Sequence, residues 1–341
     1  MFTRDALREL ELWERSNNRK PLVIRGARQV GKTTLVHQFS KRFEQYLYLN
    51  LELFDDRLPF ERFTTIEALL QAIFFLKDLS YAKRDRTLIF IDEIQAVPEA
   101  FGRLRYFYEF VPEIPLIAAG SMLESLFDKT ASYPVGRVTY LVIRPASFPE
   151  FLDAIGEINT LEQLRHIPVQ PFAHQKLMTL FHTYALIGGM PEIVQHYSNH
   201  RDIAALAPLY DSLITSYLED VEKYASGEAQ VQHLRHVIRS AFLQAGQRIK
   251  FESFGKSAYH SREMSEALRT VEKVMLLHLI YPVTSNTLPM LADIKKHPRL
   301  QVIDTGMLNY FVGIQKDILH TGHALSYAPH RLFAGLREAQ D

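Results

Sequence analysis

Gly26-Ala27-Arg28-Gln29-Val30-Gly31-Lys32-Thr33 meets the pattern G-x-x-x-x-G-K-[ST] at every fixed position. The residue types point to one chemistry. A triphosphate needs many convergent donors, and a tight glycine turn exposes several backbone N–H groups at once. A helix opening at Lys32, Thr33 and Thr34 adds the positive partial charge of its N-terminus. Lys32 supplies a point charge for the β- and γ-phosphates, and the Thr33 hydroxyl is a ligand for Mg²⁺. The pattern predicts that Gly26, Ala27, Arg28, Gln29, Val30, Gly31, Lys32, Thr33 and Thr34 bind ATP with Mg²⁺.

A second run, Leu88-Ile89-Phe90-Ile91-Asp92-Glu93, is an apolar stretch closed by two acids. Such a pair is costly at the end of a buried strand unless it has a task there, and in open α/β sheets that end faces the ligand. Asp92 is expected to hold Mg²⁺ and Glu93 to orient and deprotonate the attacking water. Gln95, two residues on, reads either as a group on that water or as an exposed helix start. Leu116-Ile117-Ala118-Ala119-Gly120-Ser121 ends a third apolar run, and Ser121 reads either as a γ-phosphate sensor or as the opening of a turn. Hydrolysis also needs positive charge on the transferring phosphoryl. A supplied arginine is worth about 10³–10⁵ in rate, or roughly 4–7 kcal/mol of barrier. Arg137 is the first candidate and Arg28 the second, acting in cis or on a neighbouring subunit. A structural arginine at a strand start is the competing reading for Arg137.

The elements that must position these residues are legible as apolar runs. Residues 22–24, 46–49, 87–91, 116–119 and 138–143 read as continuous apolar strands, the kind a parallel sheet covered on both faces requires. Helical stretches separate them, which gives a doubly wound α/β layer. Residues 3–15 read as an amphipathic helix through Leu7, Leu10 and Trp13. After Pro145–Phe151 the pattern turns helical. Leu206, Leu209, Tyr210, Leu213 and Tyr217 share one helix face, as do Leu234, Val237, Ile238, Ala241 and Phe242. Met264, Leu268, Val271 and Met275 mark a third helix with Ser261 as N-cap. Runs at 276–281 and 300–303 read as strands. The expected organisation is a P-loop domain over 1–150, a helical segment over 151–227, a winged-helix-like domain over 228–304, and a further region over 305–341.

Composition narrows the function classes. Lys plus Arg equals Asp plus Glu, 39 each, so no global basic field draws nucleic acid to the chain. With no cysteine in the sequence, disulfides, thiolate zinc sites and thiol catalysis are excluded. No apolar run reaches the roughly 18 residues needed to span a bilayer. The expectation is a cytoplasmic protein.

These motifs resemble, in their order, a family of bacterial and archaeal ATPases in which an AAA domain is paired with a domain named DUF4143. The resemblance is carried by residues 19–33, Ile91-Asp92-Glu93-Ile94-Gln95, Ala119-Gly120-Ser121 and Pro134-Val135-Gly136-Arg137. It continues through residues 145–152, Gly188-Gly189-Met190-Pro191-Glu192 and Ile303-Asp304-Thr305-Gly306-Met307-Leu308. It implies an AAA-like core, a helical segment and a winged helix. Family members continue into an α/β segment resembling restriction-endonuclease folds. Here residues 305–341 are expected to be a shortened start of that region, and His320–Asp341 carries no strand pattern or acidic-acidic-lysine set, so the resemblance does not by itself imply nuclease activity for these residues.

Three patterns read as structural. The pairs His196/His200 and His233/His236 lack the flanking glutamate of a zinc hydrolase. Gly188-Gly189-Met190-Pro191 reads as a helix terminus. Arg262, Arg269 and Lys273 are offset by Glu263, Glu266 and Glu272, so that helix reads as a solvated face before a DNA-reading one. A DNA or protein partner at the winged-helix region stays open, and so does a nucleotide-gated switch with little turnover.

Overall fold

The computed structural model describes residues 2–121, 134, 136–223, 225, 227–284 and 287–315. The chain divides into two compact units, Arg4–Arg144 and a second made of Met1–Thr3 and Pro145–Asp341.

The first unit is a five-stranded parallel sheet, β1 (Leu22–Arg25), β2 (Gln45–Asn50), β3 (Thr87–Asp92), β4 (Leu116–Gly120) and β5 (Thr139–Val142), in the order β2-β3-β4-β1-β5. Side chains alternate across it, as the twofold period of a strand demands. Val23, Ile89, Ile91, Leu116 and Ala118 face one layer, with α3 (Phe54–Arg62), α4 (Ile66–Leu76) and α5 (Pro98–Phe110) packed on them through Phe60, Leu69, Ile73, Phe101 and Leu104. On the other side lie α1 (Ala6–Glu14) and α2 (Lys32–Ser40), where Trp13 meets Phe39 at 6.3 Å between ring centroids. Helices on both faces of a parallel sheet make this the P-loop NTPase fold.

Every expected strand of this sheet is present, but not all are covered on both faces. β3 and β4 are buried along their whole length. The edge strand β5 has mostly exposed side chains, so its apolar run Thr139-Tyr140-Leu141-Val142 overstated its burial. A strand at the margin has one neighbour and less cover, whatever its composition. Helix α1 begins at Ala6, later than the expected residue 3.

The second unit is mainly helical: α6 (Phe148–Ala154), α7 (Ile158–Leu164), α8 (Pro171–Ile187), α9 (Pro191–His200), α10 (Ala207–Asp220), α11 (Glu228–Leu243), α12 (Ser261–Lys273) and α13 (Thr305–Phe311). Helix α6 opens with a capping box, in which Ser147 and Glu150 each accept from the other's backbone N–H. The antiparallel pair β6 (Leu277–Ile280) and β7 (Arg299–Val302) follows α12, and an isolated bridge joins Arg248 to Arg299. Ser261 is the first residue of α12 and not its cap. The cap is His260, whose N–H donates to the Glu263 carboxylate at 2.9 Å.

One buried carboxylate ties this unit together. Asp304 is 4% exposed. Its Oδ2 accepts from Gly189 N at 2.7 Å and its Oδ1 from Met307 N at 2.9 Å. The amides of Gly306 and Met190 also face it. The carboxylate therefore caps α13 and also holds the backbone just ahead of α9. Burial pushes its carboxyl above the ordinary range, against the pull of those amides. A Cβ at Gly188 would strike this carboxylate, and one at Gly189 would strike the Ala146 carbonyl. The double glycine thus ends α8, as expected, and also admits a close approach. Asn309 and Gln315 donate to the last carbonyls of α8, at Ala185 and Leu186. The histidine pairs are tied into this packing: the His196 and His200 rings stack at 4.2 Å, and His236 Nε2 lies 2.8 Å from the Phe254 carbonyl.

Candidate functional site

The glycine turn leaves the carboxyl end of β1 between β4 and β5 and opens α2. Gln29 and Gly31 both have positive φ, 60° and 90°. At 90° a side chain is strongly disfavoured, so Gly31 is what lets the chain turn directly into the helix. At Gly26 a Cβ would collide with the carbonyl oxygen of Ile143. The loop is thereby pressed against the chain leaving β5. Ala27 and Val30 are fully buried beneath it, while Arg28 and Thr34 are half-buried.

Lys32 is only 7% exposed, and its Nζ donates to the Gly26 and Ala27 carbonyls at 3.0 and 2.8 Å. Burial lowers its pKa to about 8, opposed by the charges of Glu93 and Asp92 and assisted by Arg28. An ammonium this dehydrated gains much from an arriving anion. Thr33 Oγ1 donates to Asp92 Oδ2 at 2.7 Å. Asp92, 4% exposed, also accepts from Glu93 N on Oδ1 at 3.0 Å and from the Tyr48 hydroxyl on Oδ2 at 3.5 Å. Burial and the Asp92 charge push the Tyr48 phenol up to about 12, so it stays a donor.

Glu93 follows Asp92 in the left-handed region, φ 50° and ψ 42°. Its carboxylate accepts from Gln95 Nε2. Ser121 follows Gly120, which pairs with Arg25 in the register of β4 with β1, so it too lies on the carboxyl edge of the sheet. The structure thus brings together Gly26–Thr33, Asp92, Glu93 and Gln95, with Ser121 on the same edge.

Arg137 is not brought there. Thr139 pairs with Leu22 at the amino end of β1, and Arg137 precedes Thr139. It lies at the opposite edge of the sheet, half-exposed, 3.3 Å from Glu109. The expectation that it reaches the nucleotide in cis is corrected by this topology: parallel strands put all their amino ends on one side.

Two contributors escaped the sequence. Arg4, 9% exposed, donates to the Val30 carbonyl at 3.0 Å and to the Arg144 carbonyl at 2.7 Å, bracing the glycine turn from behind. Nothing local to residue 4 signals this. Tyr48 lies inside the apolar run 46–49, where nothing marks it as polar in role, yet its phenol reaches Asp92.

Residues 18–152 match the family model described as an AAA domain. The matched region contains every site residue named above except Arg4. Residues 178–318 match a different model, a domain of unknown function (DUF8612), and not the expected DUF4143. No curated protein matches the chain. Among solved structures, the Walker-type ATPase PABY2304 of Pyrococcus abyssi is 15% identical, with a TM-score of 0.57 over 92% of this chain and 96% of that one. The Aeropyrum pernix ORC1 protein in complex with DNA is 13% identical over 94% of each chain, with a TM-score of 0.32. The Thermotoga maritima RuvB Holliday junction branch migration motor is 13% identical over 82% of this chain and 90% of that one, with a TM-score of 0.35. At such identities the first likeness speaks for the fold alone.

The matched region fits Mg²⁺ and a nucleotide on its own geometry. Thr33 and Asp92 already converge, a hydroxyl and a carboxylate of the hard oxygen type that Mg²⁺ takes alongside phosphate and water. Among the described residues no group of three or more His, Asp or Glu could hold a metal by side chains alone. Also among them, no helix is long and apolar enough to cross a membrane.

Proposed function

We propose that this chain binds ATP with Mg²⁺ at Gly26–Thr33 and hydrolyses it, and that its nucleotide cycle moves the helical and winged-helix-like parts, 151–227 and 228–304. The observation that carries the reading is the convergence of Lys32, Thr33, Asp92 and Glu93 on one edge of the sheet. Lys32 and the amides of the turn hold the phosphates, with Thr34 and Ser121 beside them. Thr33 and Asp92 would hold Mg²⁺, which supplies charge neutralisation on the phosphate oxygens. Glu93 takes a proton from water as the water oxygen bonds to the γ-phosphorus and the bond to the β-bridging oxygen breaks. ADP and phosphate leave.

The test is the Mg-dependent ATPase rate beside ATP affinity. Lys32→Ala should lose binding. Glu93→Gln should keep binding and lose turnover, and normal hydrolysis by Glu93→Gln would remove the catalytic assignment.

A slow, nucleotide-gated switch is the second reading, and the place of Arg137 favours it for an isolated chain. If Arg137 serves a neighbouring copy, the rate per chain rises with protein concentration and Arg137→Ala removes that rise. A rate independent of concentration leaves the switch.

The partner, DNA or protein, would meet the hairpin between β6 and β7. There Leu288, Met290, Leu291 and Ile294 are exposed, followed by Lys295 and Lys296. DNA contacts would release counterions, so affinity for a duplex should fall as salt rises. Affinity insensitive to salt assigns the hairpin to a protein.

A further inference from the structure

We propose that Gln95 is a positioning residue for hydrolysis: its amide nitrogen fixes the orientation of the Glu93 carboxylate that faces the attacking water. The inference rests on the reading of Glu93 as the base.

The local backbone makes the pairing. Glu93 adopts a left-handed conformation, uncommon for a residue with a side chain. That reverses the chain as it leaves β3, and Ile94–Ala96 then form a single 3₁₀ turn. The turn returns the Gln95 side chain onto Glu93, where Nε2 donates to Oε2. The amide has only one workable orientation here. A carboxylate accepts and cannot donate, so the nitrogen must face it and the oxygen must face away. That oxygen is buried and has no hydrogen-bond partner among the described residues. A buried acceptor left unmatched is unusual enough in a native fold to call for a reason.

The pairing with Glu93 supplies one: the oxygen goes unmatched so that the nitrogen stays on the carboxylate. A nucleophilic water must aim a lone pair at phosphorus, and that requires both of its O–H bonds to be directed elsewhere. One acceptor fixes one O–H and leaves the molecule free to rotate about it. A carboxylate held in one orientation fixes the direction of that O–H, a gain in alignment of the kind that lowers barriers. Glu93 takes the proton that is transferred. The Gln95 amide nitrogen occupies Oε2 of Glu93, which leaves Oε1 for that proton. The same amide also keeps the Glu93 carboxylate from turning. Glu93 N is tied to Asp92 Oδ1 at 3.0 Å, so the acceptor is referenced to the carboxylate that would hold the metal.

The experiment uses the full chain. Gln95→Ala and Gln95→Leu should each lower kcat at least tenfold while the Kd for a non-hydrolysable ATP analogue stays within about twofold. Leucine fills the space of glutamine, so a shared loss is not a loss of packing. In the Glu93→Gln background, Gln95→Ala should change the residual rate little, because Gln95 acts through the Glu93 carboxylate. Independently of turnover, nucleotide-free protein labelled with ¹⁵N-glutamine should show one strongly deshielded, slowly exchanging Gln95 side-chain amide proton. Glu93→Ala should abolish it. A wild-type or faster rate in both Gln95 variants overturns the proposal, as does an ordinary, fast-exchanging Gln95 amide. If Glu93→Gln is inactive while the Gln95 variants are normal, only this inference fails. If Glu93→Gln itself hydrolyses normally, the assignment of Glu93 fails first.

Discussion

Asp92, at the edge of the sheet, and Asp304, between two helices of the second unit, are each 4% exposed. The donors around them differ in kind. Asp92 Oδ2 receives two hydroxyls, from Thr33 and Tyr48, and only Oδ1 receives an amide. Asp304 receives backbone amides on both oxygens. A hydroxyl rotates and can accept as well as donate, whereas a backbone N–H is fixed in direction and donates only. The first arrangement can be rebuilt around an arriving cation. The second is saturated by the fold and has nothing to exchange. Burial of a carboxylate therefore does not distinguish a working acid from a structural one, but the mobility of its donors does.

Replacing each acid by its amide should separate the two regions most sharply. Asp92→Asn can keep the Glu93 amide on its oxygen and point its nitrogen at hydroxyls that turn round to accept. Stability should move by less than about 0.5 kcal/mol. Mg-dependent turnover should fall about a thousandfold, roughly 4 kcal/mol of barrier, because the charge on the metal side is gone. Steady-state kinetics beside a thermal melt would read both, and a large drop in Tm with normal turnover would reverse the roles assigned here.

Asp304→Asn should do the opposite. Either orientation of the new amide aims an NH₂ at a backbone N–H that cannot turn away. A loss of about 2–3 kcal/mol of stability is expected, the usual cost of a buried donor without an acceptor. Denaturant unfolding would measure it. A variant as stable as the parent would mean that the clasp between Gly189 and Met307 is incidental.

Lys32 offers a smaller and graded contrast. Its ammonium is charged below about pH 8 and loses its proton above, since burial favours the neutral form. Triphosphate binding needs the charged form, so binding above pH 8 must take up a proton. ATP affinity should be level below pH 8 and weaken by about tenfold for each pH unit above it, which is roughly 1.4 kcal/mol per unit. Calorimetry in buffers of different ionisation enthalpy would show the proton uptake directly. Affinity that stays level to pH 10 would show that Lys32 keeps its charge in the free protein.

What the sequence made legible follows the same divide between local and distant causes. The glycine turn and Asp92-Glu93 are short contiguous patterns whose chemistry is set by immediate neighbours, and the apolar runs located the sheet around them. Asp304 is locally legible as the cap of α13, but its hold on an amide 115 residues away left no local trace. Tyr140 and Val142 are exposed because β5 is an edge, and strand order is not written in the strand. The cap of α12 fell to His260, next to the expected Ser261, because Glu263 reaches back to its backbone. Residues 316–341, and with them the expectation for His320–Asp341, lie outside the described residues.

Arg4 gives the smallest expected effect and the finest test of how far the turn depends on remote support. Its guanidinium bridges the Val30 and Arg144 carbonyls, joining the glycine turn to the chain just beyond β5. Neither oxygen belongs to Lys32, Asp92 or Glu93, so Arg4 acts on the shape of the turn and not on charge at the phosphates. Arg4→Ala should weaken ATP binding about three- to tenfold, on the order of 1 kcal/mol, with kcat nearly unchanged. Arg4→Lys should not restore it, because a single ammonium lacks the planar fork that reaches two carbonyls at once. Rescue by lysine would mean that the positive charge at residue 4, and not its two-point reach, is what the nucleotide requires.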